Sequence, residues 1–298
     1  MTAPRRIVPG TRYLLSRRCS ERRFFLRPSK AVNELLRYVL AVAAERYGVA
    51  LHAFCILSNH VHVVLTDVKG NLPAFERYLD SLVARSINSL LGRWESFWAP
   101  GSYSAVALLT SEDVLAKCAY VLANPVAAGL VRRGSEWPGL WSKPDQIGAD
   151  PVQVNRPKHF FRTSGPMPET ASLELVCPTG FASVEDFRHQ LVAAVAALED
   201  EAAHDFASSG RSFLGVRKVL AQHPDARPAP GEPRRELSPR IAGRDKWKRI
   251  EATSRLKSFL ADYRTAWLAF TGGRRQTVFP HGTYWMRVTF GVRCAAPG

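Results

Sequence analysis

The stretch 55–65, CILSNHVHVVL, sets two histidines two residues apart in a run of apolar, β-branched residues. Side chains two apart on a strand share a face. His60 and His62 therefore project together, while Val61, Val63 and Leu65 turn the other way into a core. Two imidazoles on one face can ligate one metal ion. They are also compatible with an ordinary, half-solvated strand, and the local pattern leaves both readings open. A second stretch, 117–131, reads KCAYVLANPVAAGLV. Tyr120 and Asn124 are four residues apart and so sit one turn apart on the same side of a helix. The phenol can act as a nucleophile and the amide as an oxygen ligand. Equally, the tyrosine can be a core residue and the asparagine can end the helix ahead of Pro125.

Periodicity supplies the elements that would carry these groups. Alternation predicts strands over 11–18, 49–57, 60–66 and 103–108, with Ser58-Asn59 as a tight turn joining the middle two into a hairpin. Helical spacing predicts helices over 31–47, capped by Ser29 and ended by Gly48, and over 72–91, ended by Gly92. A further helix over about 112–123 is capped by Ser111 and has Glu112 and Asp113 in its first turn, where the helix dipole favours acids. Pro125 fixes the following turn. The order β-α-β-β-α-β, followed by a helix, is that of an α+β, ferredoxin-like split unit: an antiparallel sheet with helices on one face and the other face free for a site. The expected division is residues 1–150 as one domain and 151–298 as a basic, mainly helical extension. Within the extension, helices are expected over 184–203 (capped by Ser183), 211–221 and 246–270, a flexible linker over 222–243 and a strand hairpin over 277–294.

Charge narrows the partners. The 298 residues carry 41 Lys and Arg against 26 Asp and Glu, a net +15. Residues 1–133 hold 18 bases and 9 acids, the remainder 23 and 17. The densest cluster is Arg5, Arg6, Arg12, Arg17, Arg18, Arg22, Arg23 and Arg27, opposed only by Glu21. Such a surplus attracts polyanions, and Arg grips phosphate oxygens with a planar fork. The five cysteines form no C-x-x-C pair, against a zinc knuckle, and their odd count argues against a secreted disulfide framework. No apolar run reaches the roughly 20 residues of a membrane span, and no apolar segment follows the basic N-terminus as in a signal peptide. A soluble, cytoplasmic protein with no membrane partner is expected.

Taken together, the motifs resemble a known family. SNHVH is similar to the His-hydrophobic-His motif of HUH endonucleases. YVLANPVAAGLV resembles the nucleophile helix of the REP-associated tyrosine transposases, single-tyrosine relatives of insertion-sequence transposases. RYLLSRRCSERRFFL is similar to that family's opening strand. The resemblance spans about residues 11–133. Ser58 departs from it, standing where many relatives have Pro. It implies Tyr120 as nucleophile, and His60 and His62 with Asn124 as ligands of Mg²⁺ or Mn²⁺; more distant relatives use Gln in the Asn124 position. It also implies a 5′-phosphotyrosine intermediate on single-stranded or hairpin DNA of palindromic repeats. Arg12, Arg17, Arg18, Arg22, Arg23 and Trp98 are the expected DNA contacts, with Trp94, Tyr103 and the basic helix around Trp247 as further stacking or phosphate-binding surface; core packing of the aromatics, a solvated strand end for the arginines and packing of the helix on the first domain are the other readings. A domesticated DNA-binding protein without catalysis and a metal-dependent hydrolase are the rival expectations. Monomer and homodimer, and use of the tyrosine within one chain or across two, stay open.

Overall fold

The computed structural model describes residues 4–101, 103–229 and 239–297. It is a mixed α+β structure built on a mainly antiparallel sheet. Its strands are β1 (Thr11–Arg18), β2 (Val49–Leu57), β3 (His60–Asp67), β4 (Ser104–Leu108) and, further along the chain, the two-residue β7 (Ile241–Ala242). They lie in the order β2-β3-β1-β4-β7; only the β4–β7 pairing is parallel. β3 is an interior strand, paired to β2 through the Ser58-Asn59 turn and to β1 along its whole length, with Ser16 opposite His62 and Arg18 opposite His60. A strand in that position is held on both edges, so the direction of its side chains is fixed by register.

Two helices, α1 (Lys30–Tyr47) and α2 (Leu72–Leu91), cover one face. Leu36, Leu40, Leu79 and Val83 meet Leu15, Ile56, Val61 and Val63 there. Each helix stops at a glycine in the left-handed region, Gly48 (φ 64°) and Gly92 (φ 63°), which a residue with a Cβ adopts only under strain. The third helix, α3 (Ser111–Ala127), packs on the opposite face, so that face is covered over part of its area. Thr110, rather than Ser111, caps it, in a reciprocal capping box with Asp113.

α3 also runs past its expected end. Pro125 lies inside the last turn and has no N–H to donate to Val121, but the following amides close back on Asn124, Pro125 and Val126 and carry the turn past it. Asn124 is therefore a buried helical residue (9% exposed), not a terminator.

The remaining elements are β5 (Val152–Asn155) and β6 (Thr170–Leu173), which form a small ribbon against α1, and the helices α4 (Val184–Ser208), α5 (Val216–Ala221), α6 (Lys246–Thr271) and α7 (Trp285–Phe290). α4 lies along α3, and one apolar core runs from Ile7 to Val219. The expected hairpin over 277–294 is instead the short helix α7, ended by Gly291 (φ 63°), with a single bridge between Phe279 and Cys294. Met286 and Phe279 anchor it in a second small core on Ala266 and Phe270 of α6. The expected linker over 222–243 falls partly outside the described residues. Its described ends are bound: Ala226 accepts from the Phe24 amide, Asp225 pairs with Arg93 at 3.0 Å, and β7 pairs with β4.

Candidate active site

The sheet's alternation and the seat of α3 bring the two motifs together. The His60 and His62 rings are 4.8 Å apart, centre to centre, and nearly perpendicular. The Tyr120 ring stands 5.7 Å from that of His62. Asn124, one turn on, interacts with the His60 imidazole. Tyr120 is 41% exposed, so the phenol is reachable from solvent while the imidazoles behind it are largely covered.

Both rings are held from behind. Asn59 donates through Nδ2 to the Arg22 carbonyl (3.0 Å), so its Oδ1 is the atom that meets His60 Nδ1 at 2.7 Å. An amide oxygen only accepts, so Nδ1 carries the proton and Nε2 keeps its lone pair. His62 Nδ1 meets the Ser16 hydroxyl at 2.7 Å, and the Leu15 backbone is a further partner of this ring. Holding one nitrogen to orient the other is how metal-binding histidines are set. Desolvation pushes both rings down, His60 to about 4 and His62 to about 3, with the nearby Arg18 adding to the effect for both and Arg22 for His60. At neutral pH both are uncharged, the form that binds a metal. Among the described residues no three His, Cys, Asp or Glu side chains gather as a metal cluster. The available donor set is two imidazoles and the amide oxygen of Asn124, which suits a divalent ion that also takes oxygen from phosphate and water.

Ser16, Asn59 and Lys117 were not among the candidates from sequence. Lys117 Nζ lies 5.3 Å from the Tyr120 ring centre. Its i−3 spacing from Tyr120 was a usable signal; the Ser16–His62 pairing needed the β1–β3 register.

The expected DNA contacts divide. Arg18 and Arg22 are exposed and act electrostatically on His60, so they border the site. Arg12 shares Arg18's side of β1 but reaches Thr179. Arg23 is tied to Glu21 at 3.0 Å and to Asp225 at 3.6 Å. Arg17 points to the other face, pairs with Asp80 at 3.3 Å and donates to the Gly101 carbonyl. Trp98 is 9% exposed and donates from Nε1 to the Asp80 carbonyl, so it is a core residue and not an open stacking surface. Tyr103 is capped by Arg5 at 4.3 Å, whereas Trp94 is 93% exposed.

No family model matches the chain, and no curated relative aligns with it. Solved structures do. The chain is similar to a REP-associated tyrosine transposase bound to a REP hairpin, at 20% identity and a TM-score of 0.40, over 47% of this chain and 81% of that one. It is also similar to a protein of Deinococcus radiodurans R1 assigned as a transposase, at 23% identity and a TM-score of 0.29, over 36% and 85%. Both scores fall below 0.5, and the functional reading rests on the site's own geometry. Among the described residues no helix is long and apolar enough to cross a membrane.

Proposed function

We propose that the protein is a metal-dependent endonuclease and strand transferase of the HUH single-tyrosine type, acting on single-stranded or hairpin DNA. The observation that carries this is the meeting within one chain of a solvent-reachable phenol, Tyr120, and two neutral imidazoles, 5.7 and 4.8 Å apart in succession. A hydrolase would need no exposed tyrosine beside its ligands, and a simple DNA binder would need neither group. The same reading takes β1 to β4 with α1 and α2 as a ferredoxin-like split unit, residues 1–150 as the catalytic unit and 151–298 as an extension.

His60, His62 and Asn124 would hold Mg²⁺ or Mn²⁺, which when bound neutralises charge on the scissile phosphate. Tyr120 gives up its proton to solvent, and its Oη forms a bond to phosphorus as the P–O3′ bond breaks. The departing 3′ oxygen takes up a proton, and a 5′-phosphotyrosine remains. One ester replaces another, so a second 3′-hydroxyl can reverse the step and join strands without a nucleotide cofactor. Asn59 and Ser16 keep the imidazoles aimed. Arg18, Arg22 and Lys117 border the path with positive charge.

The test is incubation with hairpin oligonucleotides and Mg²⁺ or Mn²⁺, followed by a denaturing gel. A DNA-linked protein band is expected from the wild type and none from Tyr120→Phe, with DNA binding retained. Cleavage by Tyr120→Phe would overturn the assignment.

A further inference from the structure

The helix α6 is anchored unlike the others. Its buried side chains begin at Phe259; none lies in the stretch 246–258. Trp247 is 75% exposed and Ile250 49%. The stretch carries Lys246, Lys248, Arg249, Arg255 and Lys257 against Glu251, and residues 239–275 hold ten Lys and Arg against three Asp and Glu. On one side Ala252 and Leu256 are half-buried over a cavity they share with Tyr13 and Leu108, and the opposite side, with Trp247, stands in water.

The start of this helix is fixed beside the nucleophile helix. β7 pairs with β4, the Arg244 amide donates to Asp113 Oδ1 in the first turn of α3, and Lys248 acts electrostatically on Glu112. From Glu112 to Tyr120 is eight residues, about 12 Å along the helix. The exposed face of α6 therefore begins a short distance from the phenol.

Resting on the function proposed above, we infer that the face around Lys246, Trp247 and Lys257 binds the single-stranded DNA flank that leads away from the cleavage position. The cations meet its phosphates and Trp247 stacks on an unpaired base. Aromatic rings interleaved with cations are how single strands are held without sequence reading. The concentration of one sign of charge opposes a second copy of the same face and favours a polyanion.

The experiment compares two hairpin oligonucleotides, one with single-stranded flanks and one with none, binding to the full-length protein. Trp247→Ala is expected to weaken binding of the flanked hairpin by about tenfold, the loss typical of one stacked base, and Trp247→Phe to restore most of it. Lys246→Ala and Lys257→Ala combined should lower the salt slope for the flanked hairpin by about 1.4, at roughly 0.7 per phosphate on a single strand. The flankless hairpin should bind all variants as it binds the wild type. Unchanged binding of the flanked hairpin, equal losses on both, or no binding of either by the wild type overturns the inference. So does a wild-type dimer in light scattering that these variants dissociate, since the face would then belong to a second copy. Formation of the Tyr120–DNA adduct is read separately, so failure of this surface and failure of the active-site assignment give different results.

Discussion

Three desolvated histidines in adjacent strands, His60 among them half-buried, make an instructive pair of environments. His52 sits at the irregularity in β2 where pairing with β3 shifts between Leu51 and Ala53. Its Nδ1 donates to the Val176 carbonyl at 2.7 Å, and its Nε2 meets the Thr66 hydroxyl at 2.8 Å. Both nitrogens are committed, and the ring bridges β2, β3 and the chain after β6. His60 and His62 are as strongly desolvated, and all three titrate far below the usual imidazole range. The site pair, however, is anchored at Nδ1 by Asn59 and Ser16, and the rings meet each other and Tyr120. Burial alone does not mark a functional histidine. What sets His60 and His62 apart is that their rings meet each other and the Tyr120 phenol, whereas both nitrogens of His52 are spent on Val176 and Thr66.

The largest expected contrast follows from this difference. His62→Ala should cut metal-dependent cleavage by about 10²-fold or more, the scale of losing a group that stabilises a transition state, with a modest change in melting temperature. His52→Ala should do the reverse, lowering the melting temperature while the folded fraction still cleaves. Cleavage assays normalised to folded protein, with thermal melts alongside, decide it; full activity in His62→Ala would break the comparison.

One step out, the anchors should matter less than the rings they hold. Asn59→Ala frees His60 from the Arg22 carbonyl and is expected to weaken metal affinity or activity by about 10- to 100-fold, the usual cost of removing a group behind a ligand. Excess Mn²⁺ should recover part of that loss. A lost anchor is compensated by occupancy and a lost ligand is not, so recovery of His62→Ala to the same degree would contradict the distinction.

How much of this was legible in the sequence follows from which interactions are local. The shared face of His60 and His62 and the shared face of Tyr120 and Asn124 are set by strand and helix period, and both are as expected. That the two faces meet depends on α3 crossing the sheet opposite α1 and α2, which no local period encodes. Ser16 escaped notice because its partner is 46 residues away. Trp98 was misplaced because its indole N–H finds Asp80 across a loop. Pro125 suggested a helix end by its type, whereas the helix runs on to Ala127 at the loss of one backbone hydrogen bond.

Acid should expose the shared feature of the three histidines. Burial lowers the folded-state value of His52 to about 4, from about 6.5 in the open chain. Between those values the unfolded chain binds a proton that the folded chain refuses. Stability is therefore full above pH 6.5, falls as the pH drops towards 4, and flattens below it. For His52 alone the loss is roughly 3 kcal/mol. His60 and His62 act in the same direction. Denaturant melts across pH 4 to 7 without metal should show a shallower slope in His52→Asn than in the wild type; identical slopes would remove His52 from the account.

The smallest effect separates neighbours on one strand. Arg18 is exposed beside His60, whereas Arg17 turns through the sheet to Asp80, where its side chain is 17% exposed. Arg18→Ala should weaken hairpin binding a few-fold and lower the salt slope by about 0.7 to 0.9, one phosphate's share, with the melting temperature unchanged. Arg17→Ala should leave the salt slope alone. It strands the Asp80 carboxylate, whose acidity burial already weakens, raising it to about 6. Stability should drop by about 2 kcal/mol, less than for a fully buried pair because water reaches both groups. If Arg17→Ala lowered the slope and Arg18→Ala did not, the strand's two faces would have exchanged roles, and the phosphate path would have to be drawn past Trp98 instead of past His60.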